Sequence, residues 1–88
     1  MVRHLDISIF GRVQGVFFRV SAKEIADNLG VKGYIKNEGR FVFVEAEGSD
    51  EALENFLEWC HRGPEGAKVE NVEYRDGQNK LFDSFNII

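Results

Sequence analysis

The chain has 88 residues, 43% of them hydrophobic and 30% charged, with a formal net charge of −4. That length sets one domain, 1–88, with a modest core, and the acidic balance argues against a general nucleic-acid binder, which carries a basic footprint. No apolar run is long enough to span a bilayer, the polar start Met1–Asp6 is no signal peptide, and the lone Cys60 excludes an internal disulfide or a cysteine-based metal cluster, which makes the cytoplasm the expected compartment.

Residues 4–10 alternate, with Leu5, Ile7 and Ile9 on one side and His4, Asp6 and Ser8 between them, which predicts a half-buried strand. Gly11 to Gly15 interrupts it. From about Phe18 to Leu29 the period becomes helical, Ala22, Ile25, Ala26 and Leu29 sharing one face, and Gly30 suits the C-terminal stop. Ser21 with Glu24 three residues on reads as a capping box, with a start near Phe18 as the alternative. Strands follow at 31–36 and 40–47, with Asn37-Glu38-Gly39 as the hairpin turn between them. Ser49 caps a second helix whose first turn carries Asp50 and Glu51 and whose apolar stripe is Leu53, Phe56, Leu57 and Cys60; Gly63-Pro64 ends it. Two more strands are expected at 68–75 and 83–88. The order β-α-β-β-α-β plus a short C-terminal strand predicts an α+β fold, a ferredoxin-like α/β sandwich with two helices on one face of an antiparallel sheet. Many unrelated functions use that fold, so function has to come from a site.

The stretch with chemical content is Gly11-Arg12-Val13-Gln14-Gly15-Val16-Phe17-Phe18-Arg19, between the first strand and the first helix. Glycines let successive amides converge into an anion-binding nest, and the helix that follows points the positive end of its dipole at the same place. Arg19 stands at the junction, where its forked guanidinium suits bidentate contact with phosphate. Taken alone, such a loop reads rather as an ordinary strand–helix connection with an exposed arginine, since loops with two glycines are common. It matches neither the P-loop nor the dinucleotide fingerprint.

The full string Gly11-Arg12-Val13-Gln14-Gly15-Val16-x-Phe18-Arg19 resembles the signature of the acylphosphatase family. Gly33-Tyr34-Ile35-Lys36-Asn37, Ala46-Glu47-Gly48 and Phe82-x-x-Phe85-x-Ile87 resemble further landmarks of that family in the right order. The resemblance implies hydrolysis of acyl phosphates to a carboxylate and inorganic phosphate, without metal or cofactor. It implies Arg19 as the phosphate-binding residue, Asn37 as the holder of the attacking water, and the backbone amides of Gln14, Gly15, Val16, Phe17 and Phe18 as the phosphate cradle. It further implies an acyl phosphate as small-molecule partner, inorganic phosphate as product and inhibitor, no nucleic acid or membrane, and a monomer. The chain departs from the family in one place: only Glu38 separates Asn37 from Gly39, a shortened turn beside the water-holding residue.

An acyl phosphate is a mixed anhydride whose leaving carboxylate is already a weak base, so little general acid help is needed. Phosphoryl transfer then depends mainly on positioning and charge stabilisation. No His/Asp/Glu set stands at metal-ligand spacing in the sequence, and His4 and His61 read as structural or surface residues. Cys60 reads as a core thiol, and Asp50, Glu51, Glu54 and Glu58 as a solvated helix face. The alternative is a ferredoxin-like RNA-binding or regulatory module without catalysis, raised by Gly39-Arg40-Phe41-Val42-Phe43-Val44, which partly echoes an RNA-recognition strand. Against it stand the order of Gly and Arg, the missing paired aromatic on the first strand, and the sign of the net charge.

Overall fold

The computed structural model describes residues 1–88. Its elements are β1 (Arg3–Arg12), α1 (Phe18–Leu29), β2 (Lys32–Glu38), β3 (Phe41–Gly48), α2 (Asp50–Arg62), β4 (Lys68–Asp76) and β5 (Phe85–Ile87). The strands form one sheet in the order β4-β1-β3-β2-β5. The two apolar-alternating strands, β1 and β3, therefore lie at or beside its centre, and each helix connects two parallel strands with a third between them. This is the ferredoxin-like α+β arrangement expected.

The core is built from the residues whose period announced it. Leu5, Ile7 and Ile9 of β1, Ile35 of β2 and Val42, Val44 and Ala46 of β3 are all buried on one face of the sheet. Against them pack Phe18, Ala22 and Ala26 of α1 and Leu53, Phe56 and Cys60 of α2. Burial also raises the pKa of the Cys60 thiol well above its ordinary value, leaving it protonated and inert. Asp50, Glu51, Glu54 and Glu58 form the exposed face of α2.

Four local details differ from expectation. The sheet is mixed rather than antiparallel throughout, because β5 pairs parallel to β2, Gly33 opposite Phe85 and Ile35 opposite Ile87. β5 has three residues, not six; Phe85 anchors it in the core, against Phe56 at 5.9 Å between ring centroids. β1 runs through Gly11 to Arg12, with a bulge after Phe10 that leaves Glu70 of β4 unpaired. Gly11 has φ 127° there, and a Cβ would stand 2.2 Å from the Lys68 carbonyl oxygen. The glycine that looked like a strand breaker is what lets the strand continue, bent toward the loop.

The hairpin also differs. Its turn is Gly39-Arg40, with Glu38 opposite Phe41, so Asn37 and Glu38 stay in β2. Gly39 has φ 59° while Arg40 stays at negative φ, the pattern of a type II′ turn matched to strand twist. Residue type suggested that Asn37 would turn; the ladder with Val42 holds it extended.

Candidate active site

The two helix N-termini are built differently. Ser49 caps α2, its Oγ accepting from the Ala52 amide at 3.1 Å, and Asp50 and Glu51 add acceptors and negative charge in the first turn. α1 begins at Phe18 with no side-chain cap and no acidic residue in its first turn. The Ser21–Glu24 capping box does not form: Ser21 already lies inside the helix, its amide bonded to the Phe17 carbonyl at 3.1 Å. Burial of Phe18 against Trp59, at 5.2 Å between rings, sets the earlier start. The first-turn amides of α1 thus lack an internal acceptor and carry the positive end of the helix dipole.

The segment before α1 bends sharply. Gly15 has φ 75°, and Phe17 sits in the left-handed region at φ 60°, ψ 27°. A non-glycine residue held there carries about 1–3 kcal/mol of strain, which persists where surrounding structure imposes it. Three side chains do so here. Val13 is buried, and Val16 packs against the core rather than facing the cleft. Gln14 reaches across to the hairpin, its Nε2 donating to the carbonyls of Gly39 and Phe41, both at 3.0 Å. This carboxamide strut is a role that the sequence reading missed, since it assigned Gln14 only a backbone part.

Alternation along β2 decides where Asn37 points. Gly33, Ile35 and Asn37 share the helix-facing side, and Asn37 comes after the last core position, at the edge. It lines one cleft with Gln14, Gly15, Phe17, Phe18 and Arg19, about 290 Å³ in volume. Arg19, second residue of α1, is half-buried and engaged by no carboxylate. The structure thus brings the proposed Arg, the proposed Asn and four of the five loop residues to one place, and Val16 lies outside the lining. The two-residue turn Gly39-Arg40 leaves Asn37 within β2 and in the cleft wall.

A second polar cluster, not legible from sequence spacing, lies on the opposite face of the sheet. His4, almost fully buried, places Nδ1 2.7 Å from Glu47 and Nε2 2.9 Å from Asp6 and 3.2 Å from Glu45. Glu47 also accepts the backbone N–H groups of Lys80 and Phe82, and Tyr34 donates its hydroxyl to Glu45. These bonds bind segment 77–84 over the sheet. His4, Asp6 and Glu45 are metal-ligand types within 4.8 Å of one another, but the Lys80 ammonium stands 2.8 Å from Glu45 and fills the cationic role there. His61 is exposed, Nδ1 donating to the Leu57 carbonyl.

The same face carries the aromatic strand residues that raised the RNA-binding alternative. Phe41 stacks on Phe10 at 5.0 Å and Phe43 packs on Tyr34, so both rings are half-covered. Asp6 and Glu73 line a shallow depression on that face together with Arg75, while Glu45 and Glu47 are buried beneath segment 77–84.

By its fold the protein falls in the class of ferredoxin-like α+β domains, here with a cleft at the uncapped end of α1. The family model described as Acylphosphatase matches residues 5–87. An acylphosphatase of Nocardioides sp. is 44% identical over 84 residues, covering 94% of this chain and 85% of that protein. Solved acylphosphatases from Coxiella burnetii and Bacillus subtilis superpose with TM-scores of 0.96 and 0.95 at 30% and 31% identity, covering 99% and 100% of this chain and 93% and 99% of those. The chain belongs to the acylphosphatase family. Family and fold together support hydrolysis of acyl phosphates as its activity. No helix is long and apolar enough to cross a membrane.

Proposed function

We propose that the chain hydrolyses acyl phosphates by in-line attack of a water held by Asn37 on a phosphoryl group bound by Arg19 and the amides of residues 14–18. The observation that carries this is the convergence of Arg19 and Asn37 on one cleft at the uncapped end of α1. The guanidinium and amides neutralise charge on the non-bridging oxygens. The Asn37 side-chain oxygen accepts from the water and fixes its approach to phosphorus. A substrate phosphate oxygen takes the water's proton, since no His, Asp or Glu lines the cleft. The bond between the phosphorus and the bridging oxygen breaks, and the carboxylate leaves without protonation. No metal enters this scheme. The protein acts as a monomer in the cytoplasm, a reading supported there by the unpaired, buried Cys60.

Phosphate release is measured from an acyl phosphate and from a simple phosphate monoester, each with and without chelator. Activity confined to the acyl phosphate and unchanged by chelation is expected. Equal rates on both substrates, or loss on chelation, overturn the mechanism.

A further inference from the structure

The cleft has two chemically different halves. One is polar: Arg19, Asn37 and the loop amides. The other is apolar and open to solvent. Phe17 is 80% exposed, Val20 59% and Ile87 40%, and all three line the same cleft as Arg19. Scattered exposed apolar side chains need no explanation. These three are not scattered: they come from the loop, the first turn of α1 and β5, and they meet at the rim of the one cleft that holds the unpaired guanidinium.

Their placement follows from the fold. Phe17 immediately precedes α1 and Val20 lies in its first turn, and both line the cleft. Ile87 reaches them because β5 pairs parallel to β2, placing residue 87 opposite Ile35, two residues before Asn37. Phe17 is held in left-handed backbone geometry with its ring turned outward. A bulky residue strained into solvent suits a contact made with a bound molecule rather than with the core.

We propose that Phe17, Val20 and Ile87 form an acyl-binding shelf, so that the enzyme selects acyl phosphates with apolar acyl groups of several carbons over acetyl phosphate. This rests on the phosphoryl assignment above. A phosphoryl group seated at Arg19 leaves the acyl substituent to project from the polar half, and the apolar rim is the surface bordering it. An acetyl group is too short to cover that rim; a longer chain removes both itself and the shelf from water.

The test separates binding from reactivity. Acetyl, butanoyl and hexanoyl phosphates have leaving carboxylates of closely similar basicity, so differences in kcat/KM between them report contact. In the wild type kcat/KM rises about tenfold from acetyl to hexanoyl phosphate, the lower end of what apolar contacts contribute to specificity, as befits an open cleft. In Val20→Ser, Ile87→Ser and their double variant the slope flattens to within about twofold, while acetyl phosphate turnover and inhibition by inorganic phosphate persist. Phe17→Ala is read by its slope alone, relative to its own acetyl phosphate rate. Acetyl phosphate hydrolysis with no chain-length dependence in the wild type, or an equal slope in all variants, sinks the shelf but leaves the phosphoryl site standing. No hydrolysis of any of the three sinks both. Concentration-dependent dimerisation in sedimentation, abolished by Val20→Ser, makes the rim an interface between two copies and overturns the proposal.

Discussion

Replacing Glu47 by Gln tests the side chain that accepts two backbone amides of segment 77–84. Glu47 is 2% exposed and its carboxylate accepts three hydrogen bonds: from His4 at 2.7 Å, from the Phe82 amide at 3.0 Å, and from the Lys80 amide. His4 and Lys80 share Oε2, and Phe82 uses Oε1. A carboxamide of the same shape has one acceptor oxygen. With that oxygen at the Oε2 position, its NH₂ faces the Phe82 N–H, donor against donor, and the charge opposite His4 is gone. Orphaning a buried donor costs about 1–3 kcal/mol, and hydrogen bonds to charged groups are worth about 1.5–3 kcal/mol each. A net loss of about 3 kcal/mol follows. At roughly 4–8 °C per kcal/mol for a domain of this size, Tm falls by about 12–24 °C.

The pH dependence gives the same prediction a sign. Burial alone favours neutral His4, but its hydrogen bonds with Glu47 and Asp6, and their charges, outweigh burial and raise its pKa. A raised pKa contributes stability that is complete below the unfolded value, about 6.5, and lost as pH rises through the folded value. Burial likewise opposes ionised Glu47, yet the Lys80 amide, His4 and the Phe82 amide outweigh it and lower its pKa. Its contribution is present above the unfolded carboxylate value and lost as pH falls through the folded one. The cluster is therefore strongest on the acid side of neutrality, and the wild type weakens as pH climbs past 6.5. Asp6 and Glu45 also face His4, and Lys80 pairs with Glu45, so the Gln variant keeps a shallower slope rather than none. Urea unfolding of both proteins from pH 5 to 8.5 is the assay. A loss below about 1 kcal/mol at pH 6, or identical slopes, refutes the reasoning.

Asn37→Ala lowers kcat about 100-fold or more while inorganic phosphate still inhibits, because the carboxamide positions water rather than phosphate; Arg19→Lys weakens both turnover and phosphate inhibition, since a point-charge ammonium lacks the fork. Steady-state kinetics with phosphate as inhibitor checks both, and near-normal turnover in Asn37→Ala overturns its assignment. Gln14→Ala removes the strut to Gly39 and Phe41 and lowers kcat/KM about tenfold through a misplaced loop; unchanged kinetics in a folded variant shows that the loop holds its shape without it. Gly33→Ala puts a Cβ 1.8 Å from the Glu45 carbonyl oxygen at φ 141° and separates β2 from β3; a loss of at least about 3 kcal/mol in urea unfolding is expected, and a stable protein with native β2–β3 pairing is the contrary result.

What the sequence disclosed was whatever its own periodicity encodes. β1 and β3 each alternate apolar residues at spacing two, and α1 and α2 carry stripes at helical spacing, so those elements and their core faces were legible. The turn was not placed correctly because Asn37 and Gly39 are both turn-favouring types, and only the partner strand decides which of them turns. The capping box was a pattern of types too, displaced by the packing of Phe18 on Trp59. The His4 cluster was invisible for a stronger reason: His4 and Glu47 are 43 residues apart, and only the β1–β3 register makes them neighbours. The parallel direction of β5 likewise depends on where the 77–84 segment crosses the sheet, which no local pattern records.

The candidate site shows how one half of a repeated topology differs from the other. Each half is strand, helix, strand, with both helices on the same face. Both helices therefore present an N-terminus at the end of a strand, and both dipoles favour negative charge there. In α2 the chain supplies that charge itself, through Ser49, Asp50 and Glu51. In α1 it supplies none: the cap position is Phe17, the first-turn side chains include a cation, and the neighbouring strand contributes a neutral carboxamide, Asn37. The positive end left uncompensated is at the same place as the strained residue, the glycine loop and the Gln14 strut. A side-chain cap needs extended backbone such as that of Ser49, and Phe17 is left-handed instead. A chain with 15 acidic residues thus places none in the first turn of α1, which fits the anion site proposed above.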